Sequence, residues 1–98
     1  MNIVWSARAM ERVGEIARYI AEHDPVAARR WVNEVFDRVD ALPPHVRRAP
    51  RVREIDRDDI RQILHVRYRI IFRIRDDAIE VLTVRHGAQR LQLDEDLA

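Results

Sequence analysis

The apolar residues of this chain change their spacing once, and that change limits the folds open to it. From Ala9 onward, Met10, Val13, Ile16, Ala17 and Ile20 recur at three- and four-residue steps, which places them on one stripe of a helix. Ala28, Trp31, Val32, Val35, Val39 and Leu42 continue that repeat. Beyond residue 59 the stretches 60–64, 68–75 and 79–85 are rich in β-branched and aromatic residues, the composition of strands. Helices followed by strands in 98 residues, enough for one core and too few for two, predict a single α+β domain over residues 1–98.

The boundaries can be read from local chemistry. Residues 2–5 form a short strand running into Ser6, a helix N-cap, so the first helix is expected over 7–22. Asp24-Pro25 starts a second helix with a cap and a proline whose missing N–H costs nothing there, and Pro43-Pro44 stops it. So short a link makes the two helices an antiparallel hairpin. Gly14, Ala17 and Ala21 share a face on which the second helix has room to come close. Residues 43–59 read as loop with a short strand at 52–55, and residues 91–98 as an acidic tail carrying Leu91, Leu93 and Leu97.

A two-residue loop at Asp76-Asp77 sets Ile74 against Ile79 and Arg73 against Glu80 in the last hairpin. One sheet face then collects Tyr68, Ile70, Phe72, Ile74, Ile79, Val81 and Thr83, the surface expected beneath the helical hairpin. The other carries Arg67, Arg69, Ile71, Arg73, Glu80, Leu82, Val84 and His86. The expected architecture is a short strand and an antiparallel helical hairpin on one face of a three- to four-stranded antiparallel sheet.

Composition narrows the chemistry. With no cysteine, disulfides, thiolate metal sites and cysteine nucleophiles are excluded. Two glycines cannot make a phosphate-binding glycine loop, and the four histidines lack metal-ligand spacing, so neither cofactor nor metal is expected. Arg8, Glu11, Arg12 and Glu15 interrupt the start of the chain, which does not read as a signal peptide; a cytoplasmic protein is expected. All 18 basic residues are arginine. Residues 43–90 hold twelve of them against seven acids, and residues 91–98 none against three acids, so a basic second half precedes an acidic end.

Several short pieces, in order, carry a resemblance over almost the whole chain. They are Val4-Trp5-Ser6-Ala7-Arg8-Ala9, Tyr19-Ile20-Ala21 with Asp24-Pro25 and Ala27-Ala28, Ile60-Arg61-Gln62-Ile63, Tyr68-Arg69-Ile70-Ile71-Phe72-Arg73-Ile74, and Val81-Leu82-Thr83-Val84-Arg85-His86-Gly87. The sequence resembles the RelE/ParE toxin superfamily of type II toxin-antitoxin systems, with the ParE-like, plasmid-stabilisation type favoured. That resemblance implies a toxin neutralised by a cognate antitoxin in a hetero-oligomer, the antitoxin's C-terminal segment lying over the open side of the sheet. Arg69, Ile71, Arg73, Leu82 and Val84 are the expected antitoxin contacts, an apolar seat among arginines suited to an acidic amphipathic segment.

The superfamily divides by target. ParE-like toxins are non-enzymatic inhibitors of DNA gyrase, for which Arg61, Arg67, Arg85 and Arg90 are the candidate target contacts. RelE-like toxins are ribosome-dependent endoribonucleases acting on mRNA, and that chemistry needs a base, an acid and cations at the phosphate. Arg69, His86 and Glu54 are the candidates for it. Ile60 and Gln62 stand where RelE-like nucleases carry lysines, and no tyrosine follows Tyr68, so the gyrase reading is preferred. The nuclease, and a non-toxic member that only binds antitoxin, are the alternatives.

Overall fold

The computed structural model describes residues 1–97; Ala98, the last residue of the acidic tail, lies outside them. Strand β1 (Asn2–Trp5) leads into α1 (Ala7–Ala21), and α2 (Pro25–Asp40) folds back along it. A 3-10 turn (Pro43–Arg48) and an irregular segment precede β2 (Ile60–His65), β3 (Tyr68–Arg75), β4 (Ala78–His86) and a terminal turn, α3 (Leu93–Asp96). The caps are those the sequence implies: Ser6 Oγ accepts the Ala9 N–H at 3.0 Å and an Asp24 carboxylate oxygen accepts the Ala27 N–H at 3.0 Å. Ser6 also donates to the Leu82 carbonyl at 2.9 Å, which ties the start of α1 to the centre of β4.

The four strands lie in the order β1-β4-β3-β2. The sheet is mixed rather than wholly antiparallel, because β1 runs parallel to β4, with Asn2 opposite Ala78 and Trp5 opposite Val81. The intervening helices, loop and hairpin make this parallel pairing feasible. No strand forms at 52–55; the residue before it, Arg51, makes an isolated antiparallel bridge to Arg61 of β2.

The β3–β4 hairpin follows the expected register from Arg75↔Ala78 to Phe72↔Val81 and then slips by one residue, so that Ile71 faces Thr83. Leu82 is the extra residue of a β-bulge. Its cause lies in the sequence: Val81 and Val84 are three apart, so a regular strand cannot put both on one face. The bulge puts both beneath the helices, where each is almost wholly buried, and Ile70 then pairs with Val84. This corrects the expected faces of Thr83, Val84 and His86. Thr83 moves to the face away from the helices, and His86 pairs with Tyr68 on the helix side.

The helix-side core joins Ala9, Val13, Trp31, Val35 and Val39 to Ile70, Phe72, Ile74, Ile79, Val81 and Val84. Trp5 packs on Phe36 and Trp31 on Tyr68, with ring centroids 4.7 and 5.3 Å apart, whereas Tyr19 is exposed. A second core fills the opposite face: Ile60, Ile71 and Leu82 are covered by Val52 and Ile55 from the irregular segment and by Leu91 and Leu97 from the tail. The face expected to be open is therefore covered by the chain itself.

The two hairpin turns differ in fitness. Each joins its strands through two residues, the first with positive φ: 48° at Asp76 and 56° at Val66. Aspartate tolerates this conformation, but a β-branched valine does not, and the strain costs roughly 1–2 kcal/mol.

Gly14 has no close neighbour from α2. A Cβ there meets only the Arg18 side chain of its own helix, at 3.4 Å, so the expected close approach is not what fixes this glycine. Gly14→Ala should therefore raise stability by about 0.5–1 kcal/mol in urea unfolding. A loss of stability would show that the position is sterically required.

Candidate functional site

The face away from the helices is organised by Arg69. Its odd position in β3 points it there beside Ile71 and Arg73, and at 1% exposure it is the largest fully buried side chain. A guanidinium in such a place needs its N–H groups met. Its two terminal nitrogens reach both Glu54 carboxylate oxygens, Nη1–Oε1 at 3.0 Å and Nη2–Oε2 at 2.8 Å. Nη1 also donates to Gln62 Oε1 at 3.1 Å and Nη2 to the Gln89 carbonyl at 2.8 Å. Glu54 in turn accepts the Leu91 N–H at 3.2 Å. The Arg69 hydrogen bonds hold the Glu54 carboxyl down from its ordinary value near 4.5 to about 2, against the opposing effect of burial. One side chain thus fastens the irregular segment, β2 and the root of the tail to the sheet.

The remainder of the tail crosses the same face. Glu95 pairs with Arg12 at 2.7 Å, buried Asp96 stands 3.5 Å from Arg85 Nε, and Arg73 donates to the Leu97 carbonyl at 3.2 Å while pairing with Glu80 at 3.0 Å. Nε of Arg12, Arg69, Arg73 and Arg85, together with Thr83 Oγ1 and Asp96 Oδ1, are buried without a hydrogen-bond partner among the described residues.

The residues singled out from sequence are distributed as follows. Arg69 and Glu54 meet, but as a bidentate ion pair in which each occupies the other's chemistry. His86 borders the same hollow as Arg67 and Arg69, yet its ring lies edge-on to Tyr68 with centroids 5.5 Å apart, and its Nδ1 accepts the Ala88 N–H at 3.1 Å. Ile71 and Leu82 are covered by the chain's own residues, and Val84 lies under the helices, which corrects the expected exposed apolar seat. Arg61 is nearly buried, giving its N–H groups to the Arg47, Ala49 and Asp58 carbonyls and the Asp58 carboxylate. Arg85 lies beneath the tail. Arg67 and Arg90 are exposed and form no ion pair among the described residues. Sequence reasoning missed Gln62 and Gln89 as partners of Arg69, and Asp96 as a buried acid. No local pattern marks an amide or an acid that is met only through the fold.

This arrangement of two helices over a four-stranded sheet is that of a solved toxin-antitoxin structure, the chromosomal ParDE system from P. aeruginosa. The two superpose with a TM-score of 0.74 at 21% identity, over 88% of this chain and 95% of the other. Residues 3–91 match the family model of the ParE toxin of type II toxin-antitoxin systems, parDE. Y4kP of Sinorhizobium fredii (strain NBRC 101917 / NGR234), a protein named as a toxin, is 38% identical over 91 residues, 91% of each chain. The chain belongs to the ParE toxin family, and membership of a toxin-antitoxin pair implies an antitoxin as partner.

Removing the carboxylate charge should expose how much rests on the ion pair. Glu54→Gln leaves a buried guanidinium without its counter-charge and should cost about 3 kcal/mol of folding stability. In the parent, the stability from Glu54 is complete above its ordinary value near 4.5 and is lost as pH falls towards about 2. Acid titration of unfolding should show this loss in the parent and not in the variant; equal acid sensitivity of the two would contradict it.

Proposed function

We propose that this toxin acts in the cytoplasm on DNA gyrase, without catalysing a reaction of its own, and is held inactive by its cognate antitoxin. The observation that carries this reading is the engagement of Arg69. An arginine bound on both terminal nitrogens and buried to 1% exposure cannot offer its fork to an RNA phosphate unless the pair with Glu54 opens. Glu54, held to about 2, is a poor proton acceptor near neutrality. His86, turned against Tyr68, is left without a second acid or base of the nuclease set. No helix among the described residues is long and apolar enough to cross a membrane.

For neutralisation, we infer that an acidic, amphipathic antitoxin segment takes the face now under the tail. Its carboxylates would meet Arg73 and Arg85, and its apolar side chains would rest on Ile71 and Leu82. The charge on this face supports this, since Arg73 and Arg85 are now met by acids of the chain itself, Glu80 and Asp96, whose place an acidic segment can take. Val84 has no part in that contact.

Induction of the chain alone in a bacterial host, with pulse labelling at early times, separates the readings. Gyrase inhibition should stop DNA synthesis first, with filamentation and DNA damage signalling. An early stop in protein synthesis with cut mRNA would instead establish the ribosome-dependent nuclease, and normal growth a member that only binds antitoxin.

A further inference from the structure

The arginines of the second half fall into two groups. Among the described residues, eight of the twelve in residues 43–90 form ion pairs: Arg47, Arg51, Arg57, Arg61, Arg69, Arg73, Arg75 and Arg85. Of the remaining four, Arg53, Arg67 and Arg90 line two adjoining hollows that share Arg53, Gly87 and Ala88. All three are exposed. Cations that form no ion pair among the described residues and that line adjoining hollows attract an acidic surface.

Beside them stands the strained turn. Leu64 and Val66 border the same hollow and are 57% and 78% exposed, an apolar projection at the tip of the β2–β3 hairpin. Asparagine or glycine at position 66 would relieve the positive φ of 56°. Strain of this kind is found where a side chain is needed for contact. A phosphate backbone alone would call for the arginines and not for two apolar side chains between them, whereas a protein partner offers both charge and an apolar recess.

We propose that the β2–β3 tip, with Leu64 and Val66 in one hollow beside Arg53 and Arg67 and with Arg90 in the adjoining hollow, is the surface by which this toxin grips an acidic protein target bearing an apolar recess. It lies apart from the tail-covered patch of Ile71, Leu82, Arg73 and Arg85. The proposal rests on the reading that toxicity works through a macromolecular target, but it does not require that target to be gyrase.

Val66→Asn is the decisive variant, because it relieves strain while removing the apolar contact. It should raise the urea midpoint and weaken growth arrest by about tenfold in the inducer dose required. Arg53→Glu, Arg67→Glu and Arg90→Glu combined should abolish arrest while leaving the circular dichroism spectrum and cooperative unfolding intact. Binding of the parent and variants to purified gyrase and, separately, to a short DNA duplex would be measured by fluorescence anisotropy. If the parent binds gyrase and both variants lose that binding in parallel with arrest, the proposal holds. If the parent does not bind gyrase but the variants lose arrest, the gyrase assignment fails and the surface stands. Folded variants that arrest growth as the parent does would overturn the surface. So would variants that retain gyrase binding and lose only duplex binding, which would make it a nucleic-acid contact.

Discussion

Arg69 places a full positive charge at a position with 1% exposure, and the second face of the sheet is arranged to neutralise it. Glu54 supplies the counter-charge, Gln62 and the Gln89 carbonyl take further N–H groups, and the Leu91 N–H completes the carboxylate. These partners come from three stretches of chain: the irregular segment before β2, β2 itself and the root of the tail. The pair therefore does for this face what apolar packing does for the helix side. Breaking it leaves a charge where water cannot reach, so the loop, the edge strand and the root of the tail stay together or part together.

That dependence shapes the functional reading. The same residue types, Arg, Glu and His, are what phosphodiester cleavage would use, and two of them do meet. They meet saturated. A guanidinium already committed to a carboxylate and a carboxyl held to about 2 describe a clasp rather than an acid–base site. The exposed arginines Arg53, Arg67 and Arg90 lie elsewhere, and the tail covers the apolar centre of the face. Membership of the ParE toxin family implies an antitoxin as partner, and in the reading proposed above the tail-covered face and the β2–β3 tip are two chemically different surfaces, one for the antitoxin and one for the target.

Much of this was legible in the sequence. The helical hairpin followed from Ser6, Asp24-Pro25 and Pro43-Pro44, because caps and prolines act locally. The Asp76-Asp77 turn and the Arg73–Glu80 pair were legible for the same reason. The register beyond Phe72 was not, because the bulge at Leu82 answers to the burial of Val84, a tertiary demand. Without the bulge, His86 and Val84 were assigned to the wrong face, and with them went part of the expected site. The parallel partner of β1 lies some 76 residues away and leaves no local mark. Arg69 was identifiable as important, but whether it would meet a phosphate or Glu54 depended on how residues 50–59 return across the sheet.

The most direct test of the clasp is to remove both of its charges at once. In the double variant Arg69→Met, Glu54→Gln, methionine fills the space of the arginine stem and the amide can still accept the Leu91 N–H. Induced without antitoxin, and with cooperative unfolding confirmed, this variant should arrest growth at an inducer dose close to that of the parent. A folded double variant that no longer arrests growth would contradict the account, and would mean that the Arg69 charge acts on the target.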